Sequence, residues 1–143
     1  MGLEIQSIEE LLGGIAVPAG QKLYGVIPGD TVRVTAIIAY RGPELGDHFY
    51  AAIGNRIIGF DEIWVSGLVP IHFDSSSDWE TYTLTADIPI TQVGIFPWTP
   101  GWFDLYVKIN GHPEAGMPEL SNVIEVLLEP DFQNFAIVSY DKV

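Results

Sequence analysis

The stretch TVRVTAIIAY, residues 31–40, decides the fold class of this chain. Its even-numbered positions are all apolar or aromatic, whereas its first three odd-numbered positions hold Thr, Arg and Thr. Because successive side chains of a β-strand point to opposite faces, this alternation predicts a strand with one buried face. Gly29-Asp30 before it and Arg41-Gly42-Pro43 after it are turn signals that limit the strand at both ends.

Three further segments alternate in the same way, at residues 82–88, 103–109 and 124–128. The first places Thr on the face opposite its apolar residues, and β-branched Thr suits the solvated side of a pleated sheet. The second directs Asp104, Tyr106, Lys108 and Asn110 away from its apolar face. Each of these segments predicts a half-buried strand.

Four other regions are less regular. Residues 49–60 predict a hairpin with a two-residue type II′ turn at Gly54-Asn55. Residues 64–73 predict a strand interrupted at Gly67 and Pro70, and residues 15–26 predict one short edge strand broken by proline. Residues 135–140 predict an extra strand within 130–143, after a turn at 129–131.

The whole chain, residues 1–143, predicts a single domain. Within residues 1–14, which are otherwise loose, positions 7–12 suggest one helical turn that begins at Ser7 and ends at Gly13-Gly14. Seven to nine short strands separated by turn signals, without a long helical pattern, predict an all-β fold, an antiparallel immunoglobulin-like β-sandwich.

Composition excludes several classes of function. Six Lys and Arg stand against nineteen Asp and Glu, a formal net charge of −13, and the six cations are scattered. Neutralising phosphates requires clustered cations, so we expect no nucleic acid as partner, and an anionic membrane surface would repel the chain. No apolar run reaches the length of a membrane helix, so we expect no membrane insertion. Residues 1–6 lack a signal-peptide layout, which predicts either a cytosolic protein or an excised domain.

Catalytic signatures are sparse. The chain has no Cys and three histidines, His48, His72 and His112, and none has a second His four residues later. The zinc-protease, nucleophile-elbow and phosphate-loop motifs are all missing. We therefore predict that the protein is not an enzyme. A hydrolase would require one of these histidines beside both a serine and a carboxylate.

The most oxygen-rich segment is Asp74-Ser75-Ser76-Ser77-Asp78-Trp79-Glu80. Calcium takes six to eight oxygen ligands, so Asp74, Asp78 and Glu80 are the candidate metal ligands, although the EF-hand spacing is not met. The alternative interpretation is a solvated turn in an acidic protein. No other cofactor is expected.

Three tryptophans are candidate ligand contacts: Trp98 and Trp102, which flank Thr99-Pro100-Gly101, and Trp79 before a strand. Exposed rings stack on the faces of sugars, so these positions suggest a glycan site. The alternative is that they pack at the ends of a sandwich.

Residues 37–39 and 57–58 place apolar side chains on both faces of a strand. A two-layer sandwich needs only one apolar face per sheet, so the surplus predicts a contact with another protein. We expect self-association, or binding of a protein partner, through an apolar sheet face or edge.

The motif Pro28-Gly29-Asp30-Thr31-Val32, the run at residues 98–107 and the step Ser121-Asn122 resemble immunoglobulin-like surface modules of bacteria and archaea. They are most similar to the cell-adhesion-related domain found in bacteria, although Asn110 stands where that family often has Asp. The resemblance implies an Ig-like sandwich used as a spacer or binding module, without catalytic residues.

We therefore expect a non-catalytic structural or adhesion module of a cell surface, a secreted protein or a virion-type assembly. An extracellular or cell-surface location is favoured. The alternative is a carbohydrate-binding module with aromatic loop contacts and a structural calcium.

Overall fold

The computed structural model describes residues 2–57, 60–91, 101–127 and 132–143. These ranges contain nine strands and one short 3₁₀ helix, at Pro113–Ala115. The strands are β1 (Glu4–Glu10), β2 (Ile15–Pro18), β3 (Leu23–Val26), β4 (Thr31–Gly42), β5 (Leu45–Ile57), β6 (Phe60–Phe73), β7 (Ser76–Pro89), β8 (Trp102–Ile109) and β9 (Glu119–Val126).

The strands form two sheets around one hydrophobic core. The four-stranded sheet has the order β2-β1-β4-β7 and is antiparallel. The five-stranded sheet has the order β3-β9-β8-β5-β6 and is mixed, because β3 runs parallel to β9 while the other pairs are antiparallel. The predicted all-β, two-sheet class is confirmed.

Alternation along β4 and β8 builds this core. Val32, Val34 and Ala36 are fully buried, and the residues between them lie half-buried on the outer face. β8 shows the same pattern over its whole length. Burying one such aliphatic side chain contributes about 1.5–3 kcal/mol. The strands predicted at 31–40, 82–88 and 103–109 are confirmed, and so is the strand at 124–126, whereas Leu128 lies outside the described residues.

The predicted hairpin turn at Gly54-Asn55 is wrong. Both residues lie inside β5, opposite Ile63 and Glu62 of β6, and the strand pairing continues to Ile57 and Phe60. The register shifts between Ile53 and Gly54, and glycine within a strand is typical of such a bulge. Gly54-Asn55 favours a turn locally, but pairing with β6 and β8 on both sides keeps β5 extended here.

β6 is one continuous strand, so the predicted interruptions at Gly67 and Pro70 are also wrong. The carbonyl of His48 accepts from the amide of Asn110 and so faces β8. Pro70, the partner of His48 in β6, therefore directs its nitrogen away from β5, towards the free edge of the sheet. An edge strand tolerates proline in that orientation because no ladder hydrogen bond is lost.

Residues 15–26 form two strands, where the sequence predicted one. β2 lies at the edge of the four-stranded sheet and β3 at the edge of the five-stranded sheet. Between them the amide of Gln21 donates to the carbonyl of Pro18, and Gly20 adopts a φ of +91°. This turn moves the chain from one sheet to the other.

The helical turn predicted near the N-terminus is a strand instead. Ser7 to Glu10 belong to β1, which pairs with both β2 and β4. A register shift between Ile5 and Ser7 lets Ile5 and Ile8 both face the core. Three-residue spacing of apolar side chains here arises from a bulge, and helical periodicity is not its cause.

The extra strand predicted at 135–140 is not formed. Residues 132–143 contain no strand and are exposed throughout. The amino-acid pattern favours a strand, but a strand is stable only beside a pairing partner.

Asp30 joins the start of β4 to the turn after β1. Its buried carboxylate accepts from the amides of Leu12 (3.0 Å) and Thr31 (2.8 Å). Glu10, which is also buried, accepts from the amide of Gly13 and reaches the carboxyl of Asp30. The hydrogen bond with Asp30 raises the pKa of Glu10, because it requires a proton between the two groups.

We predict that Glu10→Gln flattens the pH dependence of stability. A raised pKa in the folded state stabilises the protein below the pKa of unfolded Glu, and this contribution is lost as the pH rises through the folded value. Urea unfolding at intervals from about pH 4 to about pH 7 measures the slope. Glu4→Gln, on an exposed position of the same strand, is the control. An unchanged slope in Glu10→Gln would contradict the prediction.

A close backbone contact joins the two sheets between β6 and β7. A Cβ atom on Gly67 would lie 2.4 Å from the carbonyl oxygen of Asp87. We therefore predict that Gly67→Ala lowers the free energy of unfolding by about 1–3 kcal/mol, because the strands must separate. Gly46→Ala in β5 is the matched control, since a Cβ there meets no atom within 4 Å. Chemical denaturation compares the two variants, and equal stabilities would refute the argument.

Candidate functional site

The outer face of the five-stranded sheet carries four aromatic side chains, which we call the aromatic face: Tyr24, Tyr50, Trp102 and Tyr106. Alternation in β8 places Trp102 and Tyr106 on the solvent side, since Phe103, Leu105 and Val107 are buried on the other. The register of β5 against β8 places Tyr50 on the same side, opposite Lys108.

The rings form two pairs. Tyr24 and Trp102 meet edge to face, with ring centroids 5.3 Å apart and an interplanar angle of 85°. Tyr50 and Tyr106 lie 5.9 Å apart at 54°. Both arrangements are ones that aromatic quadrupoles favour. Tyr24 is nevertheless 60% exposed, so this corner of the face is open to solvent.

Two lysines cover parts of these rings. Lys22 Nζ lies 4.6 Å from the centroid of Trp102, and Lys108 Nζ lies 5.1 Å from that of Tyr50. Both distances are within the range of cation–π attraction. Ala52, on the same face opposite Tyr106, is fully buried, so the side chains around it close over it. The outer side of this sheet is therefore packed, and it carries charges of both signs, since Asp104, Glu119 and Glu125 lie on it with the two lysines.

The structure places the predicted tryptophans at different ends of the molecule. Trp102 opens β8 beside the end of β9, whereas Trp79 lies in β7 near the end of β4. Trp79 is 58% exposed, and Arg41 lies over its ring at 4.6 Å. Trp98 lies outside the described residues. The packing alternative fits Trp102 in part, because its ring is half-buried against Tyr24.

The candidate calcium ligands do not form a site. β7 begins at Ser76, so Asp78 and Glu80 lie in a strand, and only Asp74 lies in a loop. The hydroxyl of Ser76 bonds within its own segment, to the carbonyl of Asp78. Across the described residues, no group of three or more His, Asp or Glu side chains is placed to hold a metal ion.

Two of the three histidines lie beside carboxylates. His72 Nε2 is 3.1 Å from Glu44 and 3.5 Å from Asp74, all on exposed side chains. His112 Nδ1 is 2.5 Å from Asp47. A hydrolase would also need a serine beside the histidine. The described polar contacts of the His72 and His112 rings are with carboxylates only.

Asp47 is the most constrained of these carboxylates, with its side chain only 8% exposed. Burial opposes its ionisation, but hydrogen bonds from His112 and from the amides of His48 and Gly111 outweigh that effect and lower the pKa of Asp47. The group fastens the start of β5 to the turn that follows β8. Its role is thus explained by the fold.

The apolar residues at 37–39 and 57–58 were expected to contact another protein, and the structure describes side chains only for the first group. Ile37 and Ala39 are half-buried on the outer face of the four-stranded sheet, where Ile37 lies between Glu4 and Thr83. Residues 57–58 lie where no side chain is described. Sequence reasoning missed Tyr24 and Tyr50, although alternation had directed Tyr106 and Lys108 outward.

No protein-family model matches this chain, and a search of curated proteins finds no significant match. The resemblance to the cell-adhesion-related domain therefore stays a prediction. Among the described residues, no helix is long and apolar enough to cross a membrane.

We predict that Asp47→Asn destabilises the fold by about 1–3 kcal/mol at neutral pH, because it removes a buried acceptor of several hydrogen bonds. A lowered folded pKa means that this stabilisation is present above the pKa of unfolded Asp and is lost as the pH falls through the folded value. The variant should therefore approach the parent in stability under acid conditions.

Thermal unfolding as a function of pH measures this difference, with Asp141→Asn at an exposed position as the control. A constant difference between Asp47→Asn and the parent at every pH would show that the charge of Asp47 is irrelevant.

Proposed function

We propose that the chain is an immunoglobulin-like sandwich that acts as a non-catalytic structural or adhesion module and binds a protein through its aromatic face. The order of the strands supports the fold. In an immunoglobulin sandwich, the strands G, F and C share one sheet, with C′ beside C, and B and E lie side by side in the other. The series β9, β8, β5, β6 and the pair β4, β7 fit these positions.

The observation that carries the binding proposal is the aromatic face. Tyr and Trp are enriched in protein interfaces, and the residues that dominate binding energy are often of these types. Tyr24 is exposed at one corner, and Trp102 holds its ring in a fixed orientation. A rigid ring loses little conformational entropy when a partner covers it.

The negative charge of the chain restricts which partners can approach it. The chain carries a net charge of −13, which repels other acidic surfaces. The aromatic face holds two of the six Lys and Arg residues, Lys22 and Lys108, beside Asp104, Glu119 and Glu125, so it is less acidic than the molecule as a whole. We infer that a partner approaches this face more easily than the rest of the molecule, in the extracellular, cell-surface or virion setting that the resemblance implies.

A second candidate is a carbohydrate-binding module. Trp79 supports it, because its ring is 58% exposed at the end of the sandwich opposite Trp102. Tyr24 supports it in the same way at the other end. Either ring could stack on the face of a sugar.

We predict that the double substitution Tyr24→Ala with Trp102→Ala weakens peptide binding. Peptides from a random display library, selected on the parent protein, should bind this variant at least about tenfold more weakly. Trp79→Ala, at the other end of the sandwich, should bind the same peptides as the parent does.

Peptides that bind the double variant as tightly as the parent would overturn the aromatic face as the binding surface. Titration of each variant with soluble oligosaccharides, followed by tryptophan fluorescence, tests the second candidate. A spectral shift that is lost in Trp79→Ala would favour carbohydrate binding.

A further inference from the structure

Residues 132–143 are the largest apolar feature of the described chain that has no place in the core. Their six large apolar or aromatic side chains are between 88% and 119% exposed: Phe132, Phe135, Ile137, Val138, Tyr140 and Val143. Single exposed apolar residues are ordinary on a protein surface, but six within twelve residues are an unusual concentration.

The composition of this segment favours a β-strand. Residues 135–140 read Phe-Ala-Ile-Val-Ser-Tyr, in which β-branched and aromatic residues predominate, and proline and glycine are missing. Asp141 and Lys142 are its only charged side chains, so the side chains of the segment have no net charge. An isolated strand is unstable in water, and its backbone groups need the edge of a sheet.

The length of the segment restricts which edge can receive it. Within the described residues, the edge strands are β2 and β3, with four residues each, and β6 and β7, with fourteen each. A strand formed by residues 135–140 is longer than β2 or β3. The two long edges, β6 and β7, remain.

The edge of β6 is poorly suited to pairing. Pro70 directs its nitrogen towards this free edge, as its position opposite His48 requires, and proline has no hydrogen to donate. Proline on an edge strand is a common device against pairing with other chains.

β7 offers an edge without that protection. The amide of Ile90 donates to the carbonyl of Asp30, and the pairing of β7 with β4 keeps one register from Pro89 to Glu80. The even-numbered residues of β7 therefore direct their backbone groups to β4, and the odd-numbered residues direct theirs to the free edge. The carbonyl of Asp87 points to the same edge, but Gly67 of β6 covers it, so the exposed part of this edge lies at Thr81 to Thr85.

The free edge thus presents the backbone groups of Thr81, Thr83 and Thr85, and neither Pro nor Lys interrupts residues 76–88. Thr has a high propensity for strands, and Tyr82 and Leu84 lie on the core side between these residues. An added strand would extend the four-stranded sheet beyond β7.

We propose that residues 132–143 of one copy add as a β-strand to the free edge of β7 in a second copy. The donor and the acceptor are different surfaces of the same chain, so the contact is heterologous and links copies head to tail. Within the described residues, the segment lies exposed and no strand pairs with the stretch from Thr81 to Thr85 of its own β7, which a second copy can therefore approach. The uncharged segment can approach an acidic neighbour that would repel most of the surface.

Light scattering behind a sizing column tests this inference across concentrations and at two salt levels. The full chain should exceed twice its monomer mass of 15.7 kDa as its concentration rises, and more so at high salt, which screens the repulsion. The chain shortened after Leu127 should stay monomeric with an unchanged circular dichroism spectrum, since the removed segment is exposed throughout its described part.

Thr83→Pro supplies the acceptor test, because the amide at this position faces the free edge and makes no ladder bond. This variant alone should be monomeric. Mixed with the shortened chain, it should form a one-to-one complex and nothing larger, since one partner keeps only the donor and the other only the acceptor. Thr35→Pro, in the central strand β4, would be an unsuitable control, because it breaks a hydrogen bond to β1. Thr83→Lys is the second acceptor variant.

A full chain that stays monomeric at high concentration would overturn this inference, and so would assembly that survives removal of residues 128–143. Capture of a different protein by the segment, with no self-association, would replace the second copy as the partner. These outcomes leave the aromatic face unaffected, because Tyr24 and Trp102 lie on the other sheet. Failure of peptide binding to the aromatic face would likewise leave this test intact.

Discussion

The carboxylate of Asp30 is the interaction on which the arrangement of the four-stranded sheet depends. It accepts the amides of Thr31 and Leu12, and so holds the first residue of β4 beside the turn that follows β1. The backbone of Asp30 also receives the amide of Ile90, just after β7. Through these bonds Asp30 links the end of β1, the start of β4 and the end of β7 at the same end of the four-stranded sheet. Glu10, whose pKa is raised by its hydrogen bond with Asp30, accepts from the amide of Gly13 and ties the β1–β2 turn to this group.

Much of the fold could be predicted from the sequence, because alternation over 31–40, 82–88 and 103–109 reports burial directly. The errors have a common physical cause. Gly54-Asn55 has the composition of a turn, yet β6 and β8 pair with β5 on both sides and keep it extended. The bulge in β1 imitates helical spacing in the same way. Local propensity differs from the final structure where long-range pairing decides it.

The aromatic face was only partly predictable for the same reason. Alternation in β8 directs Tyr106 outward. Tyr24, however, reaches Trp102 only because β3 pairs in parallel with β9, and no local sequence pattern predicts that pairing. The acidic stretch from Asp74 to Glu80 illustrates the converse. Its oxygen atoms are close in sequence, but strand geometry in β7 spreads Asp78 and Glu80 along an extended backbone. Acidic residues that are close in sequence need not lie close enough in space to bind one metal ion.

The distribution of charge connects the two proposals. Three of the six cations lie over aromatic rings: Lys22 on Trp102, Lys108 on Tyr50 and Arg41 on Trp79. Nineteen acidic residues outnumber the six cations, so most of the surface repels another copy. The aromatic face, where two lysines lie among Asp104, Glu119 and Glu125, and residues 132–143, whose side chains have no net charge, are less acidic than the molecule as a whole. We propose that contact with a partner occurs at these two surfaces, while the negative charge elsewhere limits non-specific association.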